Sequence, residues 1–132
     1  MVKKTVLITD DEKDMREELS TILKGEGYMV MQAANGREAI DLIKKHKIDV
    51  MLLDLKMPVM TGFDVLKVLE AEKNTIRTIV LTGSILGSTL PDKDDLSYAE
   101  KTKILKFADI VLNKPFDVVK LLGKISMLAG QQ

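Results

Sequence analysis

The run Asp49-Val50-Met51-Leu52-Leu53-Asp54-Leu55-Lys56-Met57-Pro58-Val59-Met60-Thr61-Gly62 decides how the 132-residue chain is read. Val50 to Leu53 is a short, unbroken apolar stretch, the pattern of a strand buried on both faces in a parallel sheet. It ends on a carboxylate, Asp54. Pro58 blocks a helix directly behind it, and Gly62 is read as the next turn. Open α/β sheets present their chemistry in this way, as a strand delivering one acid to its C-terminal end before a fixed loop. An ordinary strand-capping Asp followed by a Pro turn would look the same. Other acids have to separate the two readings.

Outward from this strand, the chain alternates. Thr5 to Thr9 is a second buried-strand run, ending at Asp10-Asp11. Met15, Leu19, Ile22 and Leu23 then form one helical stripe, with Glu12 and Asp14 in its first turn and Gly25 and Gly27 at its close. Tyr28 to Ala33 is a weaker strand. Asn35-Gly36 turns into a helix with Ala39, Ile40 and Ile43 inward and Lys44 to Lys47 at its negative end. Beyond Gly62, Phe63, Leu66 and Leu69 mark a third helix, and Arg77 to Thr82 a further strand. A helix over roughly Ser97 to Lys106 follows a long irregular stretch. Asp109 to Asn113 is the last strand, and Val118, Leu121, Leu122, Ile125 and Leu128 stripe the last helix. The expected fold is α/β: one doubly wound parallel sheet of five strands with helices on both faces and right-handed crossovers. The expected organisation is one domain over residues 1–132 with no output domain.

Composition narrows the function. Lys and Arg number 20 and Asp and Glu 20, so no global field favours nucleic acid or an anionic membrane. Cys is absent, which removes disulfides and thiolate metal sites and suits a reducing, cytoplasmic setting. Met1 to Lys4 leads straight into a strand without the apolar stretch of a signal peptide. Nothing approaches the ~18 apolar residues of a membrane span.

In a doubly wound sheet the C-terminal strand ends share one edge, so Asp10, Asp11, Asp54, Thr82 and Lys114 converge on one crevice. Carboxylates ~4.5 Å apart at an effective dielectric near 20 repel by ~4 kcal/mol per pair. Such a site holds protons or a divalent cation, and oxygen-only ligands favour Mg²⁺. Lys114 adds a point charge and Thr82 a hydroxyl suited to phosphoryl oxygens. The implied chemistry is phosphoryl transfer to Asp54 as nucleophile, driven by positioning and charge neutralisation. Helix N-capping is the plain alternative for Asp10 and Asp11. His46, the single histidine, reads as a solvated residue at a helix end. Met29, Met31 and Met51 read as core filler, and Lys101, Lys103 and Lys106 as a solvated face.

The set Asp10-Asp11, Asp54, Met57-Pro58, Gly62, Thr82-Gly83 and Lys114-Pro115-Phe116 resembles the receiver domain of two-component response regulators. The resemblance implies a flavodoxin-like sheet of order 2-1-3-4-5 and Asp54 as phosphoacceptor. It implies Mg²⁺ held by Asp11, Asp54 and the Lys56 main-chain carbonyl, with Asp10 acting through water. Thr82 and Lys114 would bind the phosphoryl oxygens, and the Lys114–Pro115 bond would be cis. A histidine kinase or histidine phosphotransfer protein would be the donor, and a downstream protein the target. The chain would be a monomer or weak dimer. Val111 stands where the family carries Tyr or Phe, whose ring swings inward on switching. Lys56 and Ser84 flank the acyl-phosphate site and would influence its lifetime. The stretch between Ser84 and Ser97 is longer than the family norm and is expected to reshape the partner-facing side near the fourth helix.

Four other functions can be weighed against this one. A haloacid-dehalogenase-type phosphatase needs an Asp-x-Asp pair, whereas Asp54-Leu55-Lys56 lacks the second acid. A flavin carrier needs a Ser/Thr-rich phosphate loop, and a P-loop enzyme needs Gly-x-x-x-x-Gly-Lys; neither is present. A pseudo-receiver would keep the fold as an interaction module without the switch, and Val111 is the residue that favours it.

Overall fold

Alternation along the strands builds two cores. In the computed structural model, which describes residues 3–83 and 98–130, β1 (Thr5–Thr9), β3 (Val50–Asp54) and β4 (Arg77–Thr82) run side by side and parallel. Leu7, Met51, Leu53 and Val80 point to one face, while Val6, Ile8, Val50, Leu52, Ile79 and Leu81 point to the other. All are essentially inaccessible, because successive strand residues face opposite sides and helices cover both. The edge strands are β2 (Met29–Ala33) and β5 (Ile110–Asn113), giving the order β2-β1-β3-β4-β5. The expected fold and strand order are therefore observed.

Helices α1 (Lys13–Gly25) and α5 (Val118–Ala129) cover one face through Leu19, Leu23, Leu121 and Ile125. Helices α2 (Gly36–Lys45), α3 (Gly62–Ala71) and α4 (Tyr98–Leu105) cover the other through Ile40, Phe63, Leu66 and Ile104. Asn35 caps α2 by accepting the Glu38 N–H at 3.0 Å. Glu38 answers by accepting the Ala34 N–H at 2.8 Å. Thr61 and Asp64 form the reciprocal capping box that starts α3.

Several expectations are corrected. Tyr28 lies before β2, folded back so that its N–H reaches the Leu23 carbonyl, and it is buried among the α1 and α5 side chains. Asp109 lies outside β5; its carboxylate receives the Thr78 N–H at 2.8 Å and pairs with Arg77 at 3.2 Å. Gly62 opens α3 instead of marking a turn. Val118 is exposed because it sits in the first turn of α5, before the helix reaches the sheet. Met29 is exposed on the edge strand, whereas Met51 is a core residue. Lys101 is buried, not part of a solvated face; its ammonium lies 5.6 Å from the Phe63 ring centre, within cation–π reach. Burial and the charge of Lys56 lower its pKa. The long stretch from Ser84 to Ser97 lies outside the described residues.

Candidate functional site

Two adjacent strand ends bring the three acids together. Asp10 and Asp11 leave β1, and Asp54 ends β3 beside it. One carboxylate oxygen from each lies within 4.8 Å of the others. Asp10 and Asp54 are buried, while Asp11 is exposed. Burial pushes the Asp54 carboxyl up from 3.8 to about 6; Lys114 and the Lys56 N–H oppose this, whereas Asp10 and Asp11 add to it. A carboxylate so placed is short of positive charge.

Lys114 follows β5 and reaches across to the acids. Its ammonium donates to Asp10 Oδ2 at 3.0 Å and lies 3.9 Å from Asp54 Oδ2. Burial alone would lower its pKa, but the bond to Asp10 and the nearby negative charges outweigh burial and raise it. The Lys114–Pro115 bond is cis. The Lys114 N–H donates to the Thr82 carbonyl at 2.7 Å, and Thr82 itself is buried at the end of β4. Among the described residues, Asp10, Asp11, Asp54, Lys56, Thr82 and Lys114 all lie at or just beyond strand ends on this one edge of the sheet.

Neither acid caps α1. Glu12 occupies the cap position without a side-chain bond, and Asp10 Oδ1 accepts the Glu12 N–H at 2.9 Å. With both Asp10 oxygens engaged, Asp11 and Asp54 are the acids open to a further ligand. The donor set consists of carboxylates, hard oxygens that suit Mg²⁺ or Ca²⁺ and not a soft metal.

The loop behind Asp54 is held tightly. Met60 N–H donates to the Pro58 carbonyl at 2.7 Å, closing a γ-turn around Val59, whose φ is 71°. Gly62 N–H returns to the Leu55 carbonyl at 3.0 Å, and Gly36 N–H at the start of α2 donates to the Met60 carbonyl at 3.2 Å. Lys56 N–H lies 3.3 Å from Asp54 Oδ1, a long hydrogen bond.

Sequence reasoning passed over Arg16. From α1 its Nη1 donates to the Asp10 carbonyl at 2.7 Å, and its Nε to Gln32 Oε1 on β2 at 3.3 Å. The only hint in the sequence is an Arg five residues beyond the acid pair, in the helix that follows it.

A parallel sheet of order 2-1-3-4-5 with acids and a lysine at its carboxyl-terminal edge defines a flavodoxin-like α/β switch domain. The chain belongs to the response regulator receiver domain family, whose match spans residues 6–126. It is similar to sporulation initiation phosphotransferase F of Bacillus subtilis, 39% identical over 62% of this chain and 66% of that protein. It is also similar to response regulator RR06 of Streptococcus pneumoniae, 36% identical over 93% of this chain and 52% of that protein. The chain thus spans about half the length of the latter relative. Among solved structures it resembles the Thermotoga maritima response regulator TrrA in complex with Mg²⁺-BeF, with a TM-score of 0.77 and 29% identity over 95% of this chain and 98% of that one. Receiver domains act in phosphorylation-dependent two-component signalling with histidine kinases and downstream targets, as switches and not as enzymes in the usual sense. No helix among the described residues is long and apolar enough to cross a membrane.

Proposed function

We propose that this chain accepts a phosphoryl group on Asp54 from a histidine kinase or histidine phosphotransfer protein, with Mg²⁺ bound, and signals through contacts with a downstream protein. The observation that carries this reading is the Asp54 carboxyl itself, buried beside two other acids and within 3.9 Å of Lys114. Asp11, Asp54 and the Lys56 carbonyl would hold the cation, with Asp10 acting through water. When bound, Mg²⁺ supplies positive charge that offsets the carboxylates and the incoming phosphoryl oxygens.

An Asp54 carboxylate oxygen attacks phosphorus, the bond from phosphorus to the donor imidazole nitrogen breaks, and that nitrogen takes a proton. Lys114 is placed to draw charge from the phosphoryl oxygens, and the Thr82 hydroxyl to donate to one of them. Asp10 anchors Lys114 while leaving Asp54 free to react. The hydroxyl and ammonium approach from strands adjacent in the sheet, since Thr82 pairs with Asn113, the neighbour of Lys114.

Incubation with Mg²⁺ and acetyl phosphate, followed by intact-mass measurement, tests the proposal. The expected result is one added phosphoryl group, lost in Asp54→Asn. Rapid release of inorganic phosphate from external substrates would instead indicate a phosphatase. Absence of both labelling and Mg²⁺ binding would indicate an interaction module of the pseudo-receiver kind. The exposed Val111 on β5, which has no ring to swing inward, is the feature that favours that second reading.

A further inference from the structure

We propose that Arg16 is a positioning residue for the cation-binding acids, holding the turn that carries Asp10 and Asp11 in register with β2. This inference rests on the Mg²⁺ reading of the site. Glu12 makes no side-chain capping bond at the start of α1, so the turn between β1 and α1 is secured at Asp10, whose Oδ1 accepts the Glu12 N–H at 2.9 Å. The Asp10 N–H donates to the Ala33 carbonyl at 3.1 Å, and its carbonyl receives the Arg16 guanidinium at 2.7 Å. The Asp10 carbonyl belongs to the peptide that leads into Asp11, so fixing its direction fixes the backbone from which Asp11 projects.

Asp11 is exposed, and its aim depends on that backbone. Arg16 is half-buried and braced by Gln32, with Nε at 3.3 Å from Oε1, so its planar fork joins α1, the turn and β2. A charged donor on a carbonyl makes one of the stronger hydrogen bonds available to the backbone. Removing a group that orients a metal ligand from behind typically costs about 10–100-fold in metal affinity.

Charge and position make opposite predictions here, which makes the role testable. Arg16 adds positive charge near the acids, so as a charge alone it would weaken Mg²⁺ binding, and its removal would strengthen it. As a positioning residue its removal weakens binding despite the lost repulsion. As a merely structural contact its removal lowers stability and leaves the affinity of the folded protein unchanged.

Calorimetric titration of the full chain with Mg²⁺, paired with urea unfolding in chelator, distinguishes these. For Arg16→Ala the expected dissociation constant rises about tenfold. Arg16→Lys, which retains charge and a donor, recovers part of the loss. Gln32→Ala, a change at an exposed residue, shifts affinity in the same direction by a smaller factor, and this variant decides the matter if Arg16→Ala does not fold. Unchanged or tighter Mg²⁺ binding in folded Arg16→Ala, or unchanged binding in Gln32→Ala where that variant decides, overturns the inference alone. A wild-type chain that takes up no Mg²⁺ overturns the site reading as well.

Discussion

The Lys114 ammonium sits 3.0 Å from Asp10 but 3.9 Å from Asp54, so the lysine is hydrogen-bonded to one acid and only within Coulombic reach of the other. Asp10 is thereby the anchor and Asp54 the group left available. Lys114→Met leaves two buried carboxylates without this cation. Loss of one partner of a fully buried pair costs about 3–5 kcal/mol, and the partial exposure of Lys114 reduces the expected loss to about 2 kcal/mol at pH 7 in chelator. Saturating Mg²⁺ should stabilise the variant more than the wild type, because the cation offsets the same negative charge. Urea unfolding with and without Mg²⁺ checks this. Equal gains in both proteins would mean that lysine and cation do not act on the same acids.

The raised Asp54 pKa implies a pH-dependent penalty. An acid shifted from 3.8 to about 6 binds more protons folded than unfolded between those values. Stability therefore falls as pH rises through that window, and the penalty is complete above about 6. The shift corresponds to about 3 kcal/mol, which solvent access to the pocket reduces to about 1–2 kcal/mol. In Mg²⁺-free buffer Asp54→Asn should be more stable than wild type by that amount at pH 7.5, with the two converging near pH 4. Urea midpoints across this range provide the measurement. A gap that stays constant with pH would show that burial does not strain the Asp54 charge.

The central strands and their terminal acids were legible because double-sided burial leaves an unbroken apolar run, and Asp54 interrupts it where the strand meets water. The edges were less clear. β2 carries an exposed Met29, and β5 alternates half-buried Ile110 and Leu112 with exposed Val111 and Asn113, so neither shows a buried run. Val118 was misplaced because the apolar stripe of α5 begins one turn before the helix meets the sheet. Lys101 was misread because its ammonium lies over the Phe63 ring of α3, a contact that the charge pattern does not reveal. Arg16 was missed for a related reason: it bonds a main-chain carbonyl, and a carbonyl has no identity in the sequence.

Val59 occupies the left-handed region at φ 71° with its side chain in solvent. A β-branched residue there is a true outlier, costing about 1–2 kcal/mol. Glycine removes the clash but loses about 0.5–1 kcal/mol through greater freedom in the unfolded chain. Val59→Gly should therefore raise stability by about 0.5–1 kcal/mol, since no buried contact is lost. Thermal unfolding monitors the change. A lower melting temperature would show that the γ-turn between Pro58 and Met60 depends on the valine.

Gly62 and Gly123 should respond oppositely to the same substitution. A methyl group on Gly62 would run into the Asp54 carbonyl oxygen and come within 2.8 Å of Leu55 Cα. Backbone atoms cannot swing aside, so β3 and α3 must separate around the acid that the site depends on. Gly62→Ala should cost about 2–3 kcal/mol. It should also reduce labelling of Asp54 by acetyl phosphate in the fraction that remains folded. Gly123 lies inside α5 with nothing within 4 Å of an added methyl group. There the better helix propensity of alanine should stabilise the protein by about 0.5–1 kcal/mol and leave labelling unchanged. Urea unfolding and intact-mass labelling of both variants provide the comparison. Normal labelling of a stable Gly62→Ala protein would show that Asp54 does not need the close seating of α3 against its own carbonyl.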